Sequence, residues 1–593
     1  MFNRLKSYLN NFSVQSYLGG RIRMTPRVLK VNIYTFLLVL LCSFHLIGNI
    51  YWLILDKSPF PWDQAGHTII AFKFTDFLNG SDRSQDFLSI SDYYPPFVHL
   101  LVALFMLVFG KNILIGPLMV TGFFILGLVF LYLYAYQLFK NRLTAFLSAT
   151  IFSFLPNIYA LSREFLLEIP LVTMVLSSLF FLEKSDNFHN KKNTILFSYL
   201  LALALSIKWT ALVFIFIPVI FKLKKMLPLI EWKNLSLSLI IVLLINLPWY
   251  MNNLPIILYA AKITATPEVS DPQTIISYES FKYYLFMMTN FQMTWLGMLV
   301  FIISLIYFIL KKRHQSLFLL LTFLFIYLVF TLIGNKDLRY IIFLAPVATM
   351  IMAFFLTDLS NKQSLILRNK QSLILRNKQS LILRNKQSLI LRNKTSALTL
   401  TAVLFLYYLF YFFSLSFGIL ISPAKIDFRR SIQIPLFGWV DLINLGKYTS
   451  SFLAPAYDQT VWPNSIIAEE LNRHNLKKSI KVLVISEKPY LNQVNLELAR
   501  KQLNFKKVQF YAPYNIAPFT SNQLLEKYLL GFDIILLADK DLGPEGGIRP
   551  IIALKQMSKF LKENQSQKII KINTYPLPDL DQLIVYKPRE DIP

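Results

Sequence analysis

Long apolar runs separated by short polar stretches dominate the first 420 positions of the chain. Ile33–Leu55, Ile113–Phe139 and Ala397–Ile421 are the clearest, and blocks of about 18 or more apolar residues read as membrane spans. Hydropathy divides the region into eleven spans: 33–55, 113–138, 143–160, 165–182, 194–207, 209–221, 235–250, 291–310, 315–333, 340–357 and 397–420. The short pair 194–207 and 209–221 meets at Lys208-Trp209-Thr210 and is either a tight hairpin or one broken span. Pro96–Gly110 is apolar too, but its length falls short of the ~20 residues a span needs, so it reads as a re-entrant or interface-lying helix.

After the last span the pattern changes. Lys481–Glu487, Lys507–Tyr511 and Phe532–Ala538 read as buried strands, with helical patterns over 465–475, 491–503, 521–530 and 548–563. Strands alternating with helices predict a small α/β domain. It contains no GxGxxG, P-loop or metal-spaced cluster, and Gly543-Pro544-Glu545-Gly546-Gly547 reads as a connecting loop. The predicted fold is thus mainly α, a polytopic membrane bundle of about 11–13 spans with a C-terminal α/β domain. Its regions are a basic tail (1–32), a membrane module (33–357), a loop (358–396), a last span (397–420) and the α/β domain (421–593).

Composition agrees: 55% of residues are hydrophobic and only 16% charged, against about 25% charged in soluble domains. A soluble enzyme, a disordered chain and a disulfide scaffold are excluded, the last because Cys42 is the single cysteine. The net charge of +27 is unevenly placed. Segments 1–32, 139–142, 183–193, 222–234, 311–314 and 358–396 hold 27 basic residues against four acids, while the intervening short loops hold ten against twelve. The positive-inside rule places the N-terminus in the cytoplasm and the C-terminal domain outside. The first apolar block lacks a small-residue cleavage motif and reads as a retained anchor.

Between Asn361 and Arg392 the octapeptide Asn-Lys-Gln-Ser-Leu-Ile-Leu-Arg repeats four times without error. Eight residues are too few for a solenoid unit, and successive apolar triplets land about 80° apart on a helix, so no single face forms. The array reads as a tolerated expansion from duplicated coding DNA. The competing reading is a contact with anionic lipid.

Candidate chemistry gathers at the outer ends of the spans, whose interiors are nearly free of charge. The loop 56–95 holds Asp56, Asp63, Asp76, Asp82, Asp86 and Asp92; Arg163, Glu164 and Glu168, then Lys208, then Lys336, Asp337 and Arg339 follow. Pro61-Trp62-Asp63-Gln64-Ala65-Gly66-His67 opens an amphipathic helix, with Asp63 near its N-terminus, where the dipole favours a carboxylate. His67 lies one turn further on and His99 reads as a packed histidine. Asn79-Gly80-Ser81 fits a glycosylation pattern and is given no weight.

Over roughly 33–357 the chain resembles the GT-C superfamily of integral-membrane glycosyltransferases. It is most similar to the bacterial branch of protein O-mannosyltransferase-like enzymes and lipid A aminoarabinose transferases. The resemblance rests on Pro61-Trp62-Asp63, on Pro95-Pro96 with Phe109-Gly110-Lys111-Asn112, and on Ser162-Arg163-Glu164-Phe165-Leu166-Leu167-Glu168-Ile169-Pro170-Leu171. Lys208-Trp209-Thr210 and Asp337-Leu338-Arg339-Tyr340 with Pro346 add to it. The chain departs from the family at Gln64, where Glu is usual, at Glu168, where Asp is usual, and at Tyr93-Tyr94, where the aminoarabinose branch has Glu-Lys.

The resemblance implies sugar transfer from a polyprenyl-phosphate carrier to a lipid, protein or glycan acceptor, with inversion at the anomeric carbon. Asp63 would be the general base, and Lys208 and Arg339 would receive the departing phosphate. Glu168 would orient the acceptor or hold Arg163. Arg163 and Tyr94 complete the candidate substrate contacts. No metal ligand is assigned, and a divalent metal stays open as the only cofactor under consideration. Membrane lipid is an expected partner and nucleic acid is not. Two other classes compete: a polyprenyl-linked lipid flippase and a non-catalytic envelope assembly protein.

Overall fold

The computed structural model describes residues 32–226, 230–264, 276–311, 314–374, 381–419, 428–445, 457–473, 479–513, 518–543, 551–563 and 568–589. Residues 1–31 of the basic tail and most of the Gly543–Gly547 loop lie outside them. Helix α1 (Ile33–Leu55) is started by Asn32, whose side chain accepts from the Tyr34 N–H at 3.1 Å. Its 23 residues rise about 34 Å, enough for a hydrocarbon layer of ~30 Å. Among the described residues, Ile33–Leu55, Ile115–Phe139, Trp232–Lys262 and Leu398–Phe417 are long and apolar enough to cross a membrane.

The next two helices behave differently. α2 (Trp62–Leu78) and α3 (Phe97–Phe109) lie side by side, joined by His67 with His99 and by Thr75 with Met106. The 13 residues of α3 rise about 20 Å, so it is too short to cross alone. The long α4 (Ile115–Phe139) follows.

The stretch read as one span over 143–160 is two helices, α5 (Arg142–Ser153) and α6 (Pro156–Leu161). Proline disfavours a helical conformation in the residue before it, and Leu155 is extended. Non-helical backbone at membrane depth is tolerated only inside protein. Phe154 and Leu155 are buried, and their N–H groups still find carbonyls one turn back.

α7 (Glu168–Lys184) is the centre of the bundle: 14 of its 17 residues are buried. Its serines are satisfied locally, Ser177 and Ser178 donating to the Met174 and Val175 carbonyls at 2.8 Å. Beside it, α8 (Lys191–Leu205) and α9 (Ala211–Met226) settle the ambiguity at Lys208. Lys208 pairs with Glu168 at the start of α7, and Lys222 pairs with Glu183 at its end. α9 therefore runs parallel to α7, and α8 and α9 form a hairpin.

α10 (Trp232–Thr264) continues well past the predicted end at 250. The helix around and beyond that point holds the loop before α3: Trp249 donates to the Ser91 carbonyl (2.8 Å) and Asn253, in the added turns, to that of Leu88 (2.9 Å). α11 (Tyr278–Met287) passes through a wide π-turn, Met288–Gln292, into α12 (Thr294–Leu310). α13 (His314–Thr331), a 3₁₀ turn (Leu338–Ile341), α14 (Leu344–Ile374) and α15 (Leu381–Phe417) complete the bundle. The octapeptide array prolongs α14 and opens α15; residues 375–380 within it lie outside the described ones.

A hairpin follows, β1 (Phe428–Ile434) with β2 (Gly438–Leu445), which the sequence reading missed. The π-turn grips it: Asn290 accepts from the Asp441 N–H at 2.9 Å and donates to the Trp439 carbonyl at 3.1 Å. Beyond it come α16 (Asn464–Arg473), β3 (Ile480–Ile485), the two-residue strands β4 (Glu487–Lys488) and β5 (Leu491–Asn492), and α17 (Gln493–Gln502). Then follow β6 (Val508–Tyr511), α18 (Asn522–Leu529), β7 (Ile534–Ala538), α19 (Ile551–Lys562), β8 (Ile569–Pro576) and β9 (Gln582–Pro588). The sheet order is β6-β3-β7-β9-β8, parallel across β6, β3 and β7 and antiparallel at β9 and β8. This C-terminal domain grips the loop before α2. Asp56 accepts from the Asp458 N–H (2.8 Å), Lys57 N–H donates to the Asp458 carbonyl (2.7 Å), and Asn495 on α17 donates to that of Phe60 (2.5 Å).

Candidate active site

Pro61 is extended and sends the chain into α2, which puts Asp63 in the first turn. Its Oδ2 lies 2.8 Å from Nη1 of Arg339, from the 3₁₀ turn before α14. Asp337 aims that guanidinium: its Oδ2 accepts from Nε (2.9 Å) and pairs with Nη2 (2.8 Å), while its Oδ1 accepts from the Arg339 backbone N–H (2.8 Å). A second pair stands nearby. Lys208 Nζ lies 2.7 Å from Glu168 Oε1 and 5.8 Å from the ring centres of both Tyr94 and Tyr340. The two carboxylates differ in access: the Asp63 side chain keeps 43% exposure and that of Glu168 only 4%. Glu168 Oε2 is buried with no hydrogen-bond partner among the described residues.

Beneath Asp63, His67 Nδ1 lies 2.9 Å from His99 Nε2, and its ring meets those of Tyr94 (4.9 Å) and Phe165 (5.9 Å). Gln64 Oε1 accepts from the Phe165 N–H at 3.2 Å, which ties α2 to the loop before α7. An amide serves there because the group it meets is a neutral backbone donor.

Burial pushes the Asp63 carboxyl up, but Arg339, with His67 and Lys208 behind it, overrides that and holds it down to about 2. Burial works against the Arg339 guanidinium, yet Asp337, Asp63 and Glu168 keep it well above its ordinary value. The His67 imidazole is pushed down to about 4 by burial, so the ring is neutral at physiological pH. Tyr94 is pushed well up by burial and stays a phenol. Among the described residues, Asp63, Asp337 and Glu168 pair with two cations, Arg339 and Lys208.

Five of the six residues read from the sequence, Asp63, Tyr94, Glu168, Lys208 and Arg339, converge here. Arg163 does not. It is buried with its guanidinium 4.2 Å from the centre of the Trp52 ring, and it donates to Ser416 Oγ at 2.9 Å, bracing α1 against α15. The carboxylate of Glu168 goes to Lys208 instead. Sequence reasoning missed Asp337 as the clamp on Arg339 and the pairing of His99 with His67. The first had a signal in the spacing Asp337-Leu338-Arg339; the second had none. Among the described residues no group of three His, Cys, Asp or Glu side chains is placed to hold a metal.

The sequence profile of the dolichyl-phosphate-mannose-protein mannosyltransferase family matches residues 94–251. That segment contains Tyr94, Glu168 and Lys208, and it stops short of Asp63 and Arg339. No curated protein matches the chain by sequence. Among solved structures, ArnT from Cupriavidus metallidurans in the apo state is similar, with 12% identity and a TM-score of 0.52 over 94% of this chain and 98% of that one. The same protein bound to undecaprenyl phosphate gives 10% identity and 0.52 over 93% and 98%. The chain therefore has the GT-C fold of the membrane glycosyltransferases, ArnT-like over nearly its whole length and mannosyltransferase-like in sequence across its central segment.

Proposed function

We propose that this protein transfers a sugar from a polyprenyl-phosphate donor to an acceptor hydroxyl, on the membrane face that carries the C-terminal domain. The observation that carries the reading is the pairing of an accessible carboxylate, Asp63, with a cation that Asp337 aims at it. The binding of undecaprenyl phosphate by the ArnT relative supports the donor class. The charge asymmetry of the loops supports that face as the outer one and a cytoplasmic N-terminus.

In this mechanism the acceptor oxygen attacks the anomeric carbon as the bond from that carbon to the phosphate oxygen breaks, with inversion. Asp63 takes the hydroxyl proton. The leaving phosphate, whose second pKa is about 6, needs positive charge rather than a proton, and Lys208 and Arg339 supply it through charge-assisted hydrogen bonds. Sharing Arg339 with phosphate weakens its hold on Asp63, so donor binding raises the basicity of the carboxylate as the base is required. Glu168 keeps Lys208 in place, and Tyr94 borders the ammonium.

The test is transfer from labelled polyprenyl-phosphate sugar in membranes. Asp63→Asn should lower the rate by about 10²–10⁴-fold at unchanged protein level. Near-normal transfer by that variant would remove Asp63 as the base.

A further inference from the structure

At the other end of α2, about 20 Å along the helix from Asp63, a cleft of about 680 Å³ opens against the C-terminal end of α17. Asp76, Asn79, Lys111, Arg500, Lys501 and Lys506 line it. Some of these charges are already spent. Lys111 pairs with Asp76, and Arg500 is held by Glu497 (2.5 Å) and by the Phe505 carbonyl (2.6 Å). Lys501 is half-buried and makes no ion pair among the described residues. Burial lowers the pKa of its ammonium, as do Arg500 and Lys73, against Glu497 and Asp76. Lys506 is exposed, and Asp82 is the one further acid in the wall. Cations therefore exceed anions in a recess large enough for a ligand.

The level of the cleft narrows the choice of ligand. Lys111 stands four positions before the membrane-length α4 and two after the end of α3. The flank of α3 leading to it is apolar and exposed: Leu104 and Phe105, then Val108 at 75% and Phe109 at 71%. An uncovered apolar flank that ends at a basic recess has the polarity profile of the boundary between acyl chains and phosphate.

We propose that this cleft binds the phosphate of an anionic membrane lipid whose chains lie along the exposed flank of α3, at a site separate from Asp63. The ammonium groups of Lys501 and Lys506 meet the phosphate, and the lipid bridges α3 to α17. It thereby ties the membrane module to the C-terminal domain.

The experiment uses the full-length protein in detergent, with bound lipid counted by native mass spectrometry during titration with phosphatidylglycerol or phosphatidylcholine. The wild type should retain phosphatidylglycerol preferentially, and Lys501→Gln and Lys506→Gln should each weaken that retention roughly fivefold, a basic residue near an anionic surface being worth about 1 kcal/mol. Lys506 is exposed, so its replacement reads out the site even if Lys501→Gln misfolds. Equal retention by the wild type and a folded Lys506→Gln protein would overturn the proposal. So would displacement of the lipid by inorganic phosphate at comparable concentration, which would make the site one for a soluble anion.

Discussion

Arg339 holds Asp63 across 276 positions of sequence, Nη1 to Oδ2 at 2.8 Å, while the rest of its guanidinium is committed to Asp337. The cation is therefore positioned by one acid and placed against another. In the proposed reaction it serves both the base and the leaving group, so the two roles are coupled.

Replacing Arg339 by Gln should lower kcat/KM at least a hundredfold and raise the donor KM, since a charge-assisted contact to phosphate is lost. Asp337→Asn should act in the same direction but more weakly, because the cation remains and only its aim is relaxed. In a double-mutant cycle, Asp63→Asn combined with Arg339→Gln should cost less than the sum of the single losses, as directly paired residues do. Strict additivity in steady-state kinetics would show that the pair does not work as a unit.

Lys208→Met strands the buried carboxylate of Glu168. Breaking one side of a buried pair costs about 3–5 kcal/mol, whereas replacing both sides by neutral groups is often near neutral. Thermal unfolding in detergent should therefore show Lys208→Met well below the wild type and Lys208→Met/Glu168→Gln close to it. Transfer should be lost in both. A double variant that regained activity as well as stability would make the pair structural only.

The pH dependence has a definite sign. His67, with its pKa lowered from 6.5 to about 4, binds its proton more weakly folded than unfolded. Its contribution to stability is thus fully present above about pH 6.5 and is lost as pH falls towards 4, a change of about 3 kcal/mol for a buried ring. Asp63, Glu168, Lys208, Arg339 and His99 face the same ring, so the contribution is read as the difference between wild type and His67→Gln in melting temperature across that window. Asp63, ionised above about pH 2, should add no acid limb to kcat/KM between pH 4 and 8. A wild type and His67→Gln that lose stability in parallel on acidification would contradict the neutral-ring assignment.

What could be read from the sequence followed the physics of each feature. Apolar runs announce a membrane bundle because lipid imposes one composition on everything it touches. The ends of the spans were less legible. Pro156 lies inside the stretch read as one span, where only Ser153 and Asn157 interrupt the apolar residues from Ile151 to Ala160, and the turn of the backbone there shows only in the folded chain. The small strands split along the same line: β3 and β7 are continuous apolar runs, whereas β8 (Ile-Ile-Lys-Ile-Asn-Thr-Tyr-Pro) is largely exposed and reads as loop. Candidate site residues stood out as ionisable groups next to spans, but their pairing did not. Nothing local distinguishes Glu168 bound to Lys208 from Glu168 bound to Arg163. Gly543 is a single-residue case: its φ of +108° and the nearness of the Glu487 backbone leave no space for a Cβ, a constraint invisible without the partner segment.

The grip of the C-terminal domain on the loop before α2 bears on how the protein is made. Asp63 leaves the ribosome early, but Arg339, Asp458 and Asn495, which hold it or its loop, are translated hundreds of residues later. A nascent chain that has inserted its first spans carries the carboxylate without the cation opposite it and without the clasp that fixes its helix. Completion of the site is thereby deferred until the segments carrying Arg339, Asp458 and Asn495 have been made and the α/β domain has folded back onto the loop before α2. Truncated chains released before that point carry the carboxylate without the groups that brace it.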